Sequence, residues 1–408
     1  MDPVLHSHAD NIISAAIRAV QPDAAVQRAL SGQSFPGRVI LVAAGKAAWQ
    51  MAKAASDCLP IDEGIVITKY GHVMGDLPNC RCFEAGHPVP DGNSFAATEE
   101  ALTLTEKLAE EDTVLFLLSG GGSALFEKPR IPGKELQDIT GQLLASGADI
   151  VEINTIRKRL SAVKGGRFAQ HCRPTKVFSI VLSDIVGDPL DMIASGPAVP
   201  DRSTSVQALA ISEKYRLKLT AEARTLLTEE TPKKLTNVTT QITGSVRELC
   251  TAAADACRKL GYEPLILTDR LCCQAKEAGS FLASIVKTHA VPGRKLAFIA
   301  GGETVVQITG SGKGGRNQEL ALAAAEGISG ISGAAVFSIG SDGTDGPTDA
   351  AGGYVDYETA SELERKGISI YDTLKNNDAY HALQAVNGLV FTGPTGTNVN
   401  DVAVVLLG

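Results

Sequence analysis

Short runs made almost wholly of apolar residues recur along this chain, and most are followed by a longer stretch with helical spacing. The runs at 38–43, 63–68, 113–118 and 176–182 lack the in–out alternation of a strand with one wet face. A strand that is apolar on both sides has to be covered on both sides, and helices packed over a parallel sheet provide that cover. The alternation predicts an α/β fold with largely parallel sheets flanked by helices. It resumes after Glu229-Glu230-Thr231-Pro232-Lys233-Lys234, the most linker-like segment. Strands are expected there at 237–243, 263–268, 295–300, 303–309 and 333–339, with helices at 245–260, 273–288 and 315–327. With 408 residues the chain exceeds what one core organises. Two α/β domains are expected, 1–235 and 236–408, with a helical region over 3–30 and a final strand at 402–407 that is open to joining the N-terminal sheet.

Ligands of such sheets collect at the carboxyl ends of the strands. Five loops there carry glycine with a donor suited to phosphate or a carboxylate suited to a metal. Run 38–43 leads into Ala44-Gly45-Lys46, and run 113–118 into Ser119-Gly120-Gly121-Gly122-Ser123. The first acidic loop holds Asp184, Asp188 and Asp191, and the second holds Asp342, Asp345 and Asp349. Residues 310–315, which include Gly312, Lys313, Gly314 and Gly315, fit G-x-G-x-x-G and stand just before Arg316. A lone fingerprint of that kind is a weak dinucleotide signal. Clustered carboxylates favour phosphoryl transfer, which uses Mg²⁺ held by one or two acids and by nucleotide phosphates, whereas hydride transfer needs none.

Other classes of function fit poorly. A formal charge of −8 without a basic run disfavours nucleic acid as a partner. No run approaches eighteen apolar residues, so no membrane partner is expected, and the absence of a leader pattern points to the cytoplasm. The eight cysteines form no C-x-x-C pair and read as reduced packing residues. The basic stretch from Asn154 through Arg157, Lys158 and Arg159 to Lys164 and Arg167 reads mainly as a solvated face. His87 reads as a structural loop histidine.

Taken together, AAGKAA (43–48), AGHPVPD (85–91), LLSGGGSAL (117–125), EINTIRKRLSAVKGG (152–166), LSDIVGDPLDMIASGPAVPD (182–201), GGETVVQITGSGKGGRNQELALA (301–323), GSDGTDGPTDAAGG (340–353) and TGPTGTNVNDV (392–402) resemble the glycerate 2-kinase family. The C-terminal half of that family is called the MOFRL domain, and some of its relatives carry the label hydroxypyruvate reductase. The resemblance implies ATP- and Mg²⁺-dependent phosphorylation of D-glycerate at its 2-hydroxyl, in a cleft between two α/β domains. Catalytic roles then fall to Lys46, Arg316 and Asp184, and metal-organising roles to Asp188 and Asp345. Nucleotide or substrate cradling falls to Ser119, Gly120, Gly121, Gly122, Ser123, Gly312, Lys313, Gly314 and Gly315. Small molecules are the expected partners, and a homodimer is compatible with the sequence. An NAD(P)H-dependent hydroxypyruvate reductase is the alternative.

Overall fold

The two most apolar runs of the N-terminal half become neighbouring strands in the centre of a sheet. The computed structural model describes residues 1–291 and 293–408. It divides into a first unit, Pro22–Ser183 with Asp188–Thr243, and a second unit, Met1–Gln21, Asp184–Gly187 and Gly244–Gly408.

The first unit holds β1 (Val39–Ala44), β2 (Glu63–Lys69), β3 (Cys80–Ala85), β4 (Thr113–Leu118), β5 (Lys176–Val181) and β6 (Val238–Ile242). They lie in the order β3-β2-β1-β4-β5-β6, every pair parallel. All residues of β1 and β4 are buried. Leu41, Ala43, Leu115 and Leu117 pack into one layer and Val42, Ala44, Val114 and Phe116 into the other, as the two-residue period requires. After β1 the chain builds outward through β2 and β3, then returns to place β4 on the opposite side of β1. The direction of winding therefore reverses between β1 and β4, where strand ends diverge and leave a crevice.

The second unit continues the numbering with β7 (Glu263–Leu271), β8 (Leu296–Gly302), β9 (Ala334–Gly340), β10 (Gly352–Asp356), β11 (Leu389–Val390) and β12 (Asp401–Leu407), in the order β11-β10-β9-β12-β8-β7. Only β7 and β8 pair in parallel, and the other neighbours are antiparallel. Fully buried β12 lies between β8 and β9, so the last strand completes this sheet rather than the N-terminal one.

Three further expectations shift. The strand at 237–243 is β6, on the edge of the first sheet, because its ladder with β5 continues through Thr243 N–H to the Val181 carbonyl. The expected strand at 303–309 is a loop with one bridge, Val305 to Gln274. Both sides of β8 are already taken by β7 and β12, and Ile308 is left 81% exposed. The helical region 3–30 is two helices, Pro3–Ala19 and Pro22–Leu30, because Pro22 has no N–H with which to continue the first. Asp2 caps the first helix through Val4 and Leu5 N–H. Its stripe of Leu5, Ala9, Ile12, Ile13, Ala16 and Ile17 packs into the core that holds Phe337, Val402 and Val404. The first 21 residues thus belong with the C-terminal half. No described helix is long and apolar enough to cross a membrane.

Candidate active site

At the reversal of the first sheet two turns interlock. Lys46 N–H donates to the Gly120 carbonyl (2.8 Å), Ala47 N–H to Ser119 Oγ (3.0 Å), and Ser119 N–H to the Ala44 carbonyl (3.0 Å). Gly45 has φ +129°, and any Cβ there would run into Ser119, so both the conformation and the close approach demand glycine. Gly121, at φ +86°, would place a Cβ 3.0 Å from the His87 ring and 3.2 Å from Lys46 Cγ. Lys46, His87 and the glycine turn therefore share one small region. Burial, and then the nearby Lys46 charge, hold the His87 imidazole below its usual range. Among the described residues the N–H groups of Gly120, Gly121 and Ser123 have no protein acceptor. The turn thus offers donors and a cation at the place where an α/β sheet binds ligands.

In the second unit the ends of β8 and β9 flank the start of β12. Asp401 opens that central strand, 6% exposed. It accepts from Arg316 Nε (2.5 Å) and Nη2 (3.0 Å), a bidentate pair, and Arg316 Nη1 lies 3.4 Å from Glu303. Burial raises the Asp401 carboxyl to about 6 even though Arg316 pulls it down. The hydrogen bond to Asp401 in turn holds the guanidinium charged. Two edges of the fork are engaged, and Arg316 is still about one-third exposed through the rest.

In the loop with the dinucleotide-like spacing most backbone donors are already engaged within the protein. Five successive N–H groups, Thr309 to Lys313, already have acceptors: Asn377 Oδ1 takes two, Asn376 takes two through its side chain and carbonyl, and Asp378 Oδ1 takes Lys313. Any Cβ at Gly310 or Gly312 would collide with that same 376–378 segment, so these glycines permit backbone packing within the protein. The Lys313 ammonium stands over the Tyr380 ring, 3.9 Å from its centroid.

The expected carboxylates separate. Asp345 is buried, and its two oxygens accept from Asn317 N–H (3.1 Å) and Gln318 N–H (2.9 Å) at the start of helix Arg316–Ile328. Gly315 leaves the room its carboxyl needs. This is a helix cap supplied from another loop, so both oxygens of the expected metal ligand are engaged by backbone donors. Asp188, at φ +52°, has a buried Oδ1 without a hydrogen-bond partner, an unmet demand that a hard cation satisfies. By packing, Asp184 falls in the second unit and Asp188 in the first. Among the described residues no three His, Cys, Asp or Glu side chains gather as a cation site.

Asp345→Ala is expected to cost about 2–3 kcal/mol, for the lost cap and the two backbone donors left buried. Urea unfolding should show the same loss with and without Mg²⁺. A loss seen only with Mg²⁺ would return Asp345 to the metal.

Sequence reasoning missed Asp401, whose signal was an acid directly before the last apolar run. It also took Lys158, Arg159 and Lys164 for a solvated face, whereas each is at most 3% exposed.

Residues 8–228 match a domain of unknown function, DUF4147, and residues 296–401 match the MOFRL family. The chain is 51% identical to the D-glycerate 2-kinase of Thermotoga maritima over 404 residues, 97% of each chain. It is 42% identical to the glycerate 2-kinase of Pyrococcus horikoshii, covering 97% of this chain and 96% of that one. An Agrobacterium vitis protein provisionally named hydroxypyruvate reductase is 38% identical, over 97% of this chain and 93% of its own. A crystal structure of glycerate kinase from Thermotoga maritima superposes with a TM-score of 0.95 at 50% identity, covering all of both chains.

Proposed function

The chain belongs to the glycerate 2-kinase family, and from that premise we propose that it transfers the terminal phosphoryl group of ATP to the 2-hydroxyl of D-glycerate, giving 2-phosphoglycerate and ADP. The observation that carries phosphoryl over hydride transfer is a contrast between two glycine loops. The turn at 119–123 leaves three N–H groups open beside Lys46, while the fingerprint loop spends five successive N–H groups on residues 376–378. A dinucleotide pyrophosphate draws on the backbone donors of its glycine turn, and four of the six at 310–315, Gly310 to Lys313, are already taken.

In this reading the open N–H groups at Gly120, Gly121 and Ser123 hold phosphoryl oxygens, and the Lys46 ammonium meets their charge. Arg316, oriented by Asp401, stabilises charge that builds on the migrating group. Asp184 accepts the proton as the 2-hydroxyl oxygen bonds to the terminal phosphorus and the bridge to ADP breaks. Asp188 suits Mg²⁺ by its unpartnered oxygen; the cation would supply charge neutralisation of the ATP oxygens. The protein is expected to act on small molecules in the cytoplasm.

Purified protein given D-glycerate, ATP and Mg²⁺ should release ADP in step with 2-phosphoglycerate. In a parallel reaction with hydroxypyruvate and NADH, absorbance at the reduced nicotinamide should stay constant. NADH oxidation without ADP release would reverse the assignment.

A further inference from the structure

Behind the 119–123 turn lies a buried ionic cluster that the scheme above does not use. Lys164 is fully buried; its ammonium donates to the carbonyls of Ser123 (2.9 Å) and Phe126 (3.1 Å) and pairs with Glu127 (3.2 Å). Arg157 Nη2 donates to the same Ser123 carbonyl (2.8 Å) and lies 3.5 Å from Glu127. From another direction the Ser123 hydroxyl lies 3.3 Å from that of Ser195, which donates to Asn154 Oδ1 (2.9 Å). Ser195 belongs to three successive left-handed residues, Ala194 at φ 50°, Ser195 at 61° and Gly196 at 66°. A Cβ on Gly122 would meet Ala194 Cβ at 2.8 Å, so this strained run forms the wall against which the turn rests. Backbone strain of that kind persists only where the surroundings enforce it.

The arrangement is expensive for what it holds. Burying two cations against one carboxylate costs several kcal/mol, and a neutral carbonyl could be satisfied by a single N–H. Its return lies in placement: Ser123 carries the last of the three open N–H groups, and both cations pin that residue from behind. We propose that Lys164, together with Arg157, is a positioning residue of the reaction, fixing Ser123 so that the open donors of the turn are set before the phosphoryl group arrives. The inference rests on the turn being the phosphoryl cradle.

Lys164→Met combined with Glu127→Gln removes a cation and an anion together and keeps the net charge of the cluster, leaving Arg157 with the Ser123 carbonyl and a neutral amide oxygen in place of the carboxylate. The paired variant should melt within about 5 °C of the parent. Its kcat should fall on the order of 10- to 100-fold, as for a misplaced catalytic group, while calorimetric affinities for D-glycerate and a non-hydrolysable ATP analogue change less than about threefold. Arg157→Lys, which keeps the charge and loses the fork, should lower kcat about 5- to 10-fold in a normally melting protein. Normal kcat per folded molecule in both variants would overturn the proposal, as would a loss confined to affinity.

Gly121→Ala tests the underlying reading separately, because it deforms the turn itself. If it impairs turnover while the Lys164 and Arg157 variants do not, the positioning role alone fails. If Gly121→Ala is itself fully active, the cradle reading fails with it.

Discussion

Arg316→Ala should lose on the order of 10² to 10³ in kcat, by analogy with deletion of one preorganised donor, and much less in affinity for D-glycerate. The guanidinium meets Asp401 along one edge, has Nη1 beside Glu303 and is about one-third exposed, and in this reading the exposed part faces the reacting group, so its worth is expressed as charge develops. Arg316→Lys should fail to rescue, because an ammonium cannot match the fork of Asp401 and face the phosphoryl group together. The same pair predicts an acid limb in the parent enzyme. As pH falls through about 6 the Asp401 carboxylate takes up a proton, one acceptor of the pair is lost, and kcat declines with the loosened guanidinium. In Asp401→Asn that limb should vanish and the low-pH rate should persist across neutral pH. Steady-state kinetics on these variants, with thermal melts as a folding control, measure both effects. Near-normal kcat in well-folded Arg316→Ala would reduce this residue to a structural partner of Asp401.

Lys46→Met should lower kcat by a similar factor, on the order of 10² to 10³, with an unchanged melting temperature. Its side chain is exposed, so removal opens no cavity, and the turn contact at residue 46 is made by its backbone N–H. The loss should follow the charge on the bound phosphates: calorimetry should show weaker binding of ATP than of ADP relative to the parent. A variant that melts normally and turns over at the parental rate would remove Lys46 from the phosphoryl site.

The residues that made this fold readable are those whose burial follows from their own composition. Runs such as Thr113–Leu118 have no polar side to turn outward, and the glycines after them announce tight turns. What could not be read depends on partners distant in sequence. The stripe from Leu5 to Ile17 shows that one face is buried, yet not that β12, nearly 400 residues later, lies in the same core. Strands β8, β9, β10 and β12 are buried along their whole length whether a neighbour runs parallel or antiparallel, so pairing directions were hidden. In the site, the glycine spacing at 310–315 is the same whether a pyrophosphate or the 376–378 segment takes the N–H groups. Lys46 and the 119–123 turn were legible because strand, glycine and cation are adjacent in sequence. Asp401 was not, because nothing near it names Arg316 as its partner. The basic helix was misjudged for a related reason: its acids, Glu127 and Asp201, come from other segments.

The central claim is that this chain places a phosphoryl group on the 2-hydroxyl of D-glycerate. Phosphorus-31 NMR of a reaction holding D-glycerate, ATP and Mg²⁺ reads the position directly, since phosphorus on a secondary carbon couples to one proton and on a primary carbon to two. A doublet growing in step with the ADP signals is the predicted result. A triplet, or loss of ATP to inorganic phosphate alone, would contradict it.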